Sequence, residues 1–163
     1  MSSRSAKVTL PTPTQILITR EFAAPKHLVY KAWTTPELVS RWWCGQRGRM
    51  TVTEIDLRVG GKWRYVMIVR DKFEVGFHGE YREIVPNQRI VSTEVYEQAG
   101  AHDPDANPVV NTIKFAEHAG VTTLTLLTDC PSQEVRDIII NSGMEGGMQE
   151  AMDLLEQVAI SLR

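Results

Sequence analysis

The chain has 163 residues, of which 42% are hydrophobic and 23% charged, and its formal net charge is −2. Such a length and composition are typical of one globular domain and argue against disorder. The small net charge and scattered basic residues give no reason to expect nucleic acid or an anionic membrane as a partner. No apolar run reaches the roughly 18 residues of a membrane span. The two cysteines are too few for a disulfide framework, which favours a reducing, cytoplasmic compartment.

The first 14 residues are polar and contain two prolines, so they predict a flexible N-terminal tail, and residues 15–163 are expected to form a single domain. A first strand is predicted at Gln15–Phe22, in which Ile16, Ile18 and Phe22 share one face with Arg20. Two abutting short helices should follow. Pro25 opens the first, and Thr35, as a cap before a proline, opens the second.

From residue 49 onward the pattern changes to β structure. Six further strands are predicted, at residues 50–57, 62–70, 74–85, 89–96, 110–118 and 121–129. Most gaps between them are short, so neighbouring strands should pair antiparallel. Gly76 and Gly79 lie inside one strand and predict a bend there, around which the sheet could curl. The loop at 97–108 is the one long irregular connection, typical of a lid or a mobile segment.

The C-terminal part is predicted to be helical. Ser132 begins a short helix with Ile138, Ile139 and Ile140 as core residues, and a long helix occupies residues 142–163. The apolar residues of the long helix fall in one arc of roughly 160° on a helical wheel, and its acidic and amide residues, Glu156 among them, fall opposite. Such an arc needs a large concave partner, which only the strands can supply. The order strand, two short helices, six strands, long helix predicts an α+β domain.

Five blocks of sequence resemble a known superfamily. They are AAPKHLVYKAWTTPELVSRWW, EIDLRVGGKWRY, FHGEYREIVPNQRIV, NTIKFAEHAGVTTLTL and RDIIINSGMEGGMQEAMDLLEQ. Together they resemble the SRPBCC superfamily, which has the START and birch-pollen-allergen-like fold, and most of all proteins related to the activator of the heat-shock-protein-ninety ATPase. The resemblance implies a helix-grip fold: a seven-stranded, curved antiparallel sheet wrapped around the C-terminal helix, with an apolar cavity between them. It says little about function, since one fold hosts many activities.

A ligand cavity beneath the sheet would be lined by aromatic residues of the short helices and strands together with the methionine stripe of the long helix. The candidates are Trp33, Trp42, Trp43, Trp63, Tyr65, Met67, Phe77, Tyr81, Met144, Met148, Met152 and Leu155. The methionines are equally explained as core filling. Trp42 and Trp43 are adjacent, so only one of them should face the opening, and the sequence does not say which.

Metal and nucleophile chemistry find little support. The histidines lie in separate segments without metal-ligand spacing, Cys44 has no histidine near it in sequence, and no catalytic motif is recognisable. No metal and no cofactor are therefore predicted, and whether the protein is an enzyme stays open. Polar strand residues remain as candidates for orienting a ligand: Arg20, Arg64, Glu80, Tyr81 and Glu83. The alternation leaves the orientation of Glu80, Glu83 and His78 open.

Three functions are compatible with these patterns. The favoured one is binding of a small hydrophobic or aromatic molecule between the sheet and the C-terminal helix. The alternatives are a polyketide cyclase or dehydratase-like enzyme, which needs an acid–base pair in that cavity, and a co-chaperone-like module, which needs an exposed apolar patch. A homodimer is possible in each case.

Overall fold

The structure is a computed structural model that describes residues 5–98 and 108–163. Most of the loop predicted at 97–108 thus lies outside the described residues. The elements in chain order are β1 (Lys7–Thr9), β2 (Gln15–Phe22), α1 (Lys26–Thr34), α2 (Pro36–Val39), β3 (Gly48–Ile55), β4 (Lys62–Val69), β5 (Phe73–Val85), β6 (Arg89–Gln98), β7 (Val109–His118), β8 (Val121–Asp129), α3 (Gln133–Asn141) and α4 (Met144–Ser161).

The strands form one open antiparallel sheet in the order β1-β2-β8-β7-β6-β5-β4-β3. The predicted α+β helix-grip fold is confirmed, with a C-terminal helix packed on one face of the sheet. The sheet has eight strands rather than seven. Because β2 pairs with β8, the first long strand closes against the last one.

The extra strand lies within the segment predicted to be a flexible tail. β1 pairs antiparallel with β2, with Val8 opposite Ile18. The backbone of Ala6 exchanges two hydrogen bonds with the side-chain amide of Gln149 on α4, at 3.1 and 2.8 Å. The ordered domain therefore begins before residue 15, since an edge strand and a helix both hold this segment.

Two register shifts interrupt the antiparallel pairing of the sheet. The register of β5 shifts between Tyr81 and Glu83, and that of β3 shifts between Met50 and Val52. Through Gly76 and Gly79 the pairing with β4 stays regular. Neither glycine is the site of a register shift, and the bend predicted there stays a prediction. A bulge adds a residue to one strand and increases its local twist, whereas these glycines make room for neighbouring side chains.

The apolar arc of α4 faces the core as predicted. Its buried apolar residues are Ala151, Met152, Leu155, Val158 and Ala159, while Ile160 stays exposed. Glu156, predicted on the polar side, is buried as well because Arg20 of β2 reaches it. The helix begins after Gly143, whose φ of 84° is a left-handed conformation that favours glycine.

The shorter helices differ from the prediction in detail. α2 spans only Pro36–Val39, and the Thr35 side chain makes no capping hydrogen bond. At α3, by contrast, the Ser132 hydroxyl accepts a hydrogen bond from Val135 N at 3.2 Å. No residue of α3 is fully buried, and Ile138, predicted as a core residue, is 63% exposed. Among the described residues, no helix is both long and apolar enough to cross a bilayer.

Candidate functional site

The sheet face toward α4 carries a row of aromatic side chains. Trp63 and Tyr65 of β4 are buried, and their partners across β5 are Gly79 and Phe77. Tyr81, two residues beyond Gly79, is buried on the same face. The aromatic face of β4 is thus the inner one, as its alternation indicated.

Six rings from four parts of the chain make one continuous group, called here the aromatic cluster: Trp33, Trp42, Trp43, Trp63, Tyr65 and Phe77. The Trp33 and Trp42 rings are 4.9 Å apart between centroids, and Trp42 and Trp43 are 5.7 Å apart. Trp43 continues the group to Tyr65 at 4.8 Å. Most of these pairs are tilted or edge-to-face, the arrangements that aromatic quadrupoles favour.

The structure distinguishes the two adjacent tryptophans. Trp42 is 2% exposed, and its indole Nε1–H donates to the carbonyl of Ala32 on α1 at 3.0 Å, which anchors it as a packing residue. Trp43 is partly exposed and meets the rings of Tyr65, Trp63 and Phe77. Trp43 is therefore the one that faces the inner side of β4 and β5.

The predicted cavity residues on α4 and Met67 of β4 differ in how deeply they are buried. Met152 and Leu155 are fully buried, and Met144 and Met148 are partly buried against the same core. Met67 lies opposite Met50 and Val75 and is only partly buried, outside the core cluster. The structure brings the other predicted residues into one core with the aromatic cluster.

A short turn carries Trp43 and is fastened to the first half of α4. The Glu150 carboxylate accepts from the backbone N–H of Gln46 and pairs with the Arg47 guanidinium, both at 3.3 Å. Arg47 lies across Gly146, where a Cβ would come within 2.7 Å of its Nη2. The position of the Trp43 ring thus depends on contacts between residues 43–48 and α4.

Gly79 lets Trp63 cross from β4 to β6. The Trp63 Nε1–H donates to the carbonyl of Thr93 at 3.2 Å, and a Cβ on Gly79 would lie 2.6 Å from that nitrogen. The same Cβ would overlap the Thr93 carbonyl oxygen. Only a residue without a side chain fits between these two strands.

We expect Gly79→Ala to destabilise the fold by about 1–3 kcal/mol, the usual cost of overpacking. Urea unfolding followed by tryptophan fluorescence measures this. Gly147→Ala is the matched control because its Cβ would meet Arg47 at an ordinary 3.8 Å. Since Gly147 is helical, that change should be neutral or stabilising by up to about 1 kcal/mol. Equal losses in the two variants would contradict the role given to Gly79.

The inner face also holds a polar chain that the sequence prediction missed. Thr128 Oγ1 donates to Asn111 Oδ1 at 2.7 Å, and Asn111 Nδ2 donates to Glu94 Oε1 at 3.3 Å. Glu94 lies four positions after the buried Ile90 in β6, and Asn111 lies two positions before the buried Ile113 in β7. Each polar residue therefore points to the same face of the sheet as the buried isoleucine of its strand. Counting in twos from the buried isoleucines would have placed Glu94 and Asn111 inside.

Burial shapes the acidity of this polar region. Desolvation raises the pKa of Glu94 to about 7, although the hydrogen bond from Asn111 favours its ionised form. Burial also raises the pKa values of Tyr65 and Tyr81 above their usual range. Near pH 7, Glu94 is therefore the group of this region that exchanges a proton, and both tyrosines stay neutral.

The other polar strand candidates do not join this interior. Arg64 and His78 both bind the buried carboxylate of Glu97 on the opposite face, at 2.9 and 2.6 Å. Glu80 pairs with Lys62, and Glu83 pairs with Arg89. Arg20 does face inward, but it binds α4 through Asp153 at 2.7 Å and Glu156 at 3.3 Å. Their roles as ligand-orienting groups are therefore not supported.

An open groove of about 510 Å³ lies at the β3–β5 side of the sheet, and five of its eight lining residues are charged residues or histidine. Its residues are Glu54, Ile55, Asp56, Lys62, Trp63, Arg64, His78 and Gly79. Of the predicted cavity residues, it includes only Trp63. This groove is thus distinct from the predicted site.

Neither a thiol nor a metal centre is apparent in the described ranges. Burial raises the pKa of Cys44, and its Sγ lies 3.2 Å from the Gly48 carbonyl, so the thiol form is favoured over the reactive thiolate. Within residues 5–98 and 108–163, no group of three or more His, Cys, Asp or Glu side chains is placed to hold a metal ion.

This architecture, a single antiparallel sheet around a C-terminal helix with two short helices after its first long strand, is that of the SRPBCC superfamily. The chain belongs to the family described as Activator of Hsp90 ATPase homolog 1-like protein, whose family model matches residues 23–159. Among proteins with curated descriptions, none matches the chain.

Solved structures share the fold at low sequence identity. A protein from Rhodobacter sphaeroides is 24% identical with a TM-score of 0.85, over 96% of this chain and 99% of that one. Protein Ms6760 from Mycobacterium smegmatis is 22% identical with a TM-score of 0.85, over 94% and 96%. CalU16 from Micromonospora echinospora is more distant, 20% identical with a TM-score of 0.59, over 96% and 85%. At these identities the likeness shows the fold alone.

Proposed function

We propose that the protein binds a small hydrophobic or aromatic molecule between the sheet and α4, against the aromatic cluster. The observation that carries this proposal is the continuity of the cluster from buried to accessible rings. Trp42, Trp63 and Tyr65 are at most 5% exposed, while Trp33, Trp43 and Phe77 keep part of their surface accessible. Small-molecule sites are lined predominantly by apolar and aromatic side chains of this kind.

The position of Trp43 indicates how a ligand would enter. Its ring meets three rings of β4 and β5, and its turn rests on α4 through Glu150. Residues 43–47 of this turn lie outside the helices and strands, and the ion pair that joins the turn to α4, between Arg47 and Glu150, is partly exposed. A ligand that stacks on Trp43 can therefore be admitted by a small movement of residues 43–48.

The four tryptophans of the chain all lie in the aromatic cluster, which gives a direct test. We expect 2-naphthylmethanol, a neutral aromatic alcohol, to shift several of the four indole N–H signals in ¹⁵N–¹H correlation spectra. Trp43→Ala should weaken its binding by about tenfold, because ring stacking contributes about 0.5–1.5 kcal/mol beyond the buried area.

The matched control is Phe73→Ala, since Phe73 lies on β5 like Phe77 but is 59% exposed and outside the cluster. That variant should bind the alcohol as tightly as the unchanged protein. Unmoved indole signals, or an equal loss in Phe73→Ala, would rule the interior out as the binding site.

A second candidate is catalysis in the same interior, of the cyclase or dehydratase kind. The observation in its favour is Glu94, whose pKa of about 7 suits a group that both accepts and donates protons at neutral pH. Chemical change of a bound molecule, recovered after incubation and lost in Glu94→Gln, would establish it. Return of every bound molecule unchanged would leave binding as the function.

A protein-binding patch of the co-chaperone kind has less support. The most exposed large apolar side chains are Val59 at 65%, Ile138 at 63% and Phe73 at 59%. They lie in the β3–β4 connection, on α3 and at the start of β5. Single exposed apolar residues are normal on protein surfaces.

A further inference from the structure

Glu94 lies beside the aromatic cluster on the inner face of the sheet. His78 of β5 pairs with Val95 of β6, and Tyr81 pairs with Ser92. The same register places Gly79 beside Glu94, and both positions face the inner side of the sheet. Gly79 has no side chain, and Trp63 crosses it to reach Thr93, next to Glu94 in the chain. The carboxyl group is thus placed next to indole and phenol rings, with no other side chain from β5 between them.

The hydrogen bonds around Glu94 are arranged for an anion. Because the Thr128 hydroxyl donates to Asn111 Oδ1, the Asn111 amide presents its N–H group to Glu94 Oε1. A donor directed at a carboxylate stabilises its ionised form. The site is therefore organised to hold a negative charge on a partly buried carboxylate at the inner face of the sheet.

That charge has no cationic partner in the described part of the chain, where the ion pairs involve other carboxylates. Arg20 is the buried cation of the inner face, and it is already bound to Asp153 and Glu156. Buried carboxylates in proteins are normally paired with a cation or lose their charge. The missing partner can come from outside the chain.

We propose that the ligand of the interior site carries a protonated basic nitrogen on an aromatic or apolar body, and that Glu94 is its counter-ion. This inference rests on the proposed function. The rings of the aromatic cluster would bind the apolar body, and an indole face attracts an adjacent cation as well. Glu94 is thereby the residue that selects amines over neutral molecules of the same shape.

The proposal predicts a specific pH dependence. The titratable group that interacts with Glu94 is Tyr65 of β4, which lies beside Tyr81 of β5, and Tyr81 in turn lies near Tyr30 of α1. Burial raises the pKa values of all three phenols, so they stay neutral. Without a ligand, the Glu94 carboxyl has a pKa of about 7. Below pH 7 it is mostly protonated, so it must lose this proton before it can pair with a cation. Amine binding should therefore be about tenfold weaker at pH 6 than at pH 8.

The experiment compares 2-naphthylmethylamine, which stays protonated across this range, with the isosteric 2-naphthylmethanol by calorimetric titration. At pH 8 we expect the amine to bind about 10- to 100-fold more tightly, as for a hydrogen bond between charged groups. In Glu94→Gln this preference and the pH dependence should both disappear, while the alcohol still binds. Glu80→Gln, which alters the exposed pair with Lys62, should leave both ligands unaffected.

The outcomes separate the two proposals. If the alcohol binds but the amine binds no better at pH 8, or if Glu94→Gln keeps the preference, the counter-ion role is overturned and the proposed function stands. If the unchanged protein binds the amine more tightly at pH 6 than at pH 8, Glu94 acts as a protonated donor and the inference is likewise overturned. If neither compound binds, the proposed function fails and the inference fails with it.

Discussion

Arg20→Met is expected to destabilise the protein by about 3–5 kcal/mol, because it would leave the buried Glu156 carboxylate without its cation. The Arg20 side chain is 0% exposed and that of Glu156 is 7% exposed, so water cannot replace the lost partner. Glu156 also accepts from the backbone N–H of Ala23 at 3.0 Å, which keeps its carboxylate at this place. Urea unfolding at pH 7 measures the loss.

The double variant Arg20→Met with Glu156→Gln shows whether the stability lost in Arg20→Met comes from the unpaired charge of Glu156 or from lost packing. Glutamine can still accept from Ala23 but needs no counter-ion, so much of the lost stability should return. Lys62→Met is the matched control at an exposed pair, and it should change stability by no more than about 1 kcal/mol. If the double variant is as unstable as the sum of its single changes, the loss comes from packing rather than from the buried charge.

Glu94→Gln is expected to stabilise the protein, and by about 2–3 kcal/mol more at pH 8 than at pH 5. The pKa of Glu94 is about 7 in the folded protein against 4.5 as its ordinary value, so the folded state holds the proton more tightly than the unfolded chain. The favourable contribution is present below about pH 4.5 and is lost as the pH rises to 7. Above that, the ionised carboxylate opposes folding, and glutamine removes this cost.

Chemical denaturation at the two pH values tests the prediction. Glu80→Gln is the control, because the pKa of the exposed Glu80 is shifted in the opposite direction: Lys62 lowers it. It should give no stability gain at pH 8. A Glu94→Gln gain that is the same at pH 5 and pH 8 would show that the carboxyl does not titrate as described. A residue that costs stability in the empty protein is typical of a functional site.

The sequence predicts the architecture well because periodicity reports directly on burial. The apolar arc of α4 and the aromatic face of β4 both follow from residue spacing, and both face the core. Glu156 is the exception, since its burial depends on a partner 136 positions earlier in the chain. No local pattern contains that contact.

The candidate site is predicted only in its apolar part. Aromatic residues are conspicuous in sequence, and six of the predicted ones form the aromatic cluster. Glu94, Asn111 and Thr128 are overlooked because a polar residue in an alternating strand is ordinarily assigned to the solvent face. Their contacts join three different strands, so the register had to be known before the polar chain could be recognised.

The order in which the chain leaves the ribosome has a consequence for folding. β2 is synthesised early, yet its partner residues in β8 and the α4 carboxylates that neutralise Arg20 come 100 or more residues later. Until then the apolar side of β2 has nothing to cover it, and such long-range pairing is slow to form and exposed to aggregation. Nascent chains of this protein should therefore depend on chaperones until α4 has emerged.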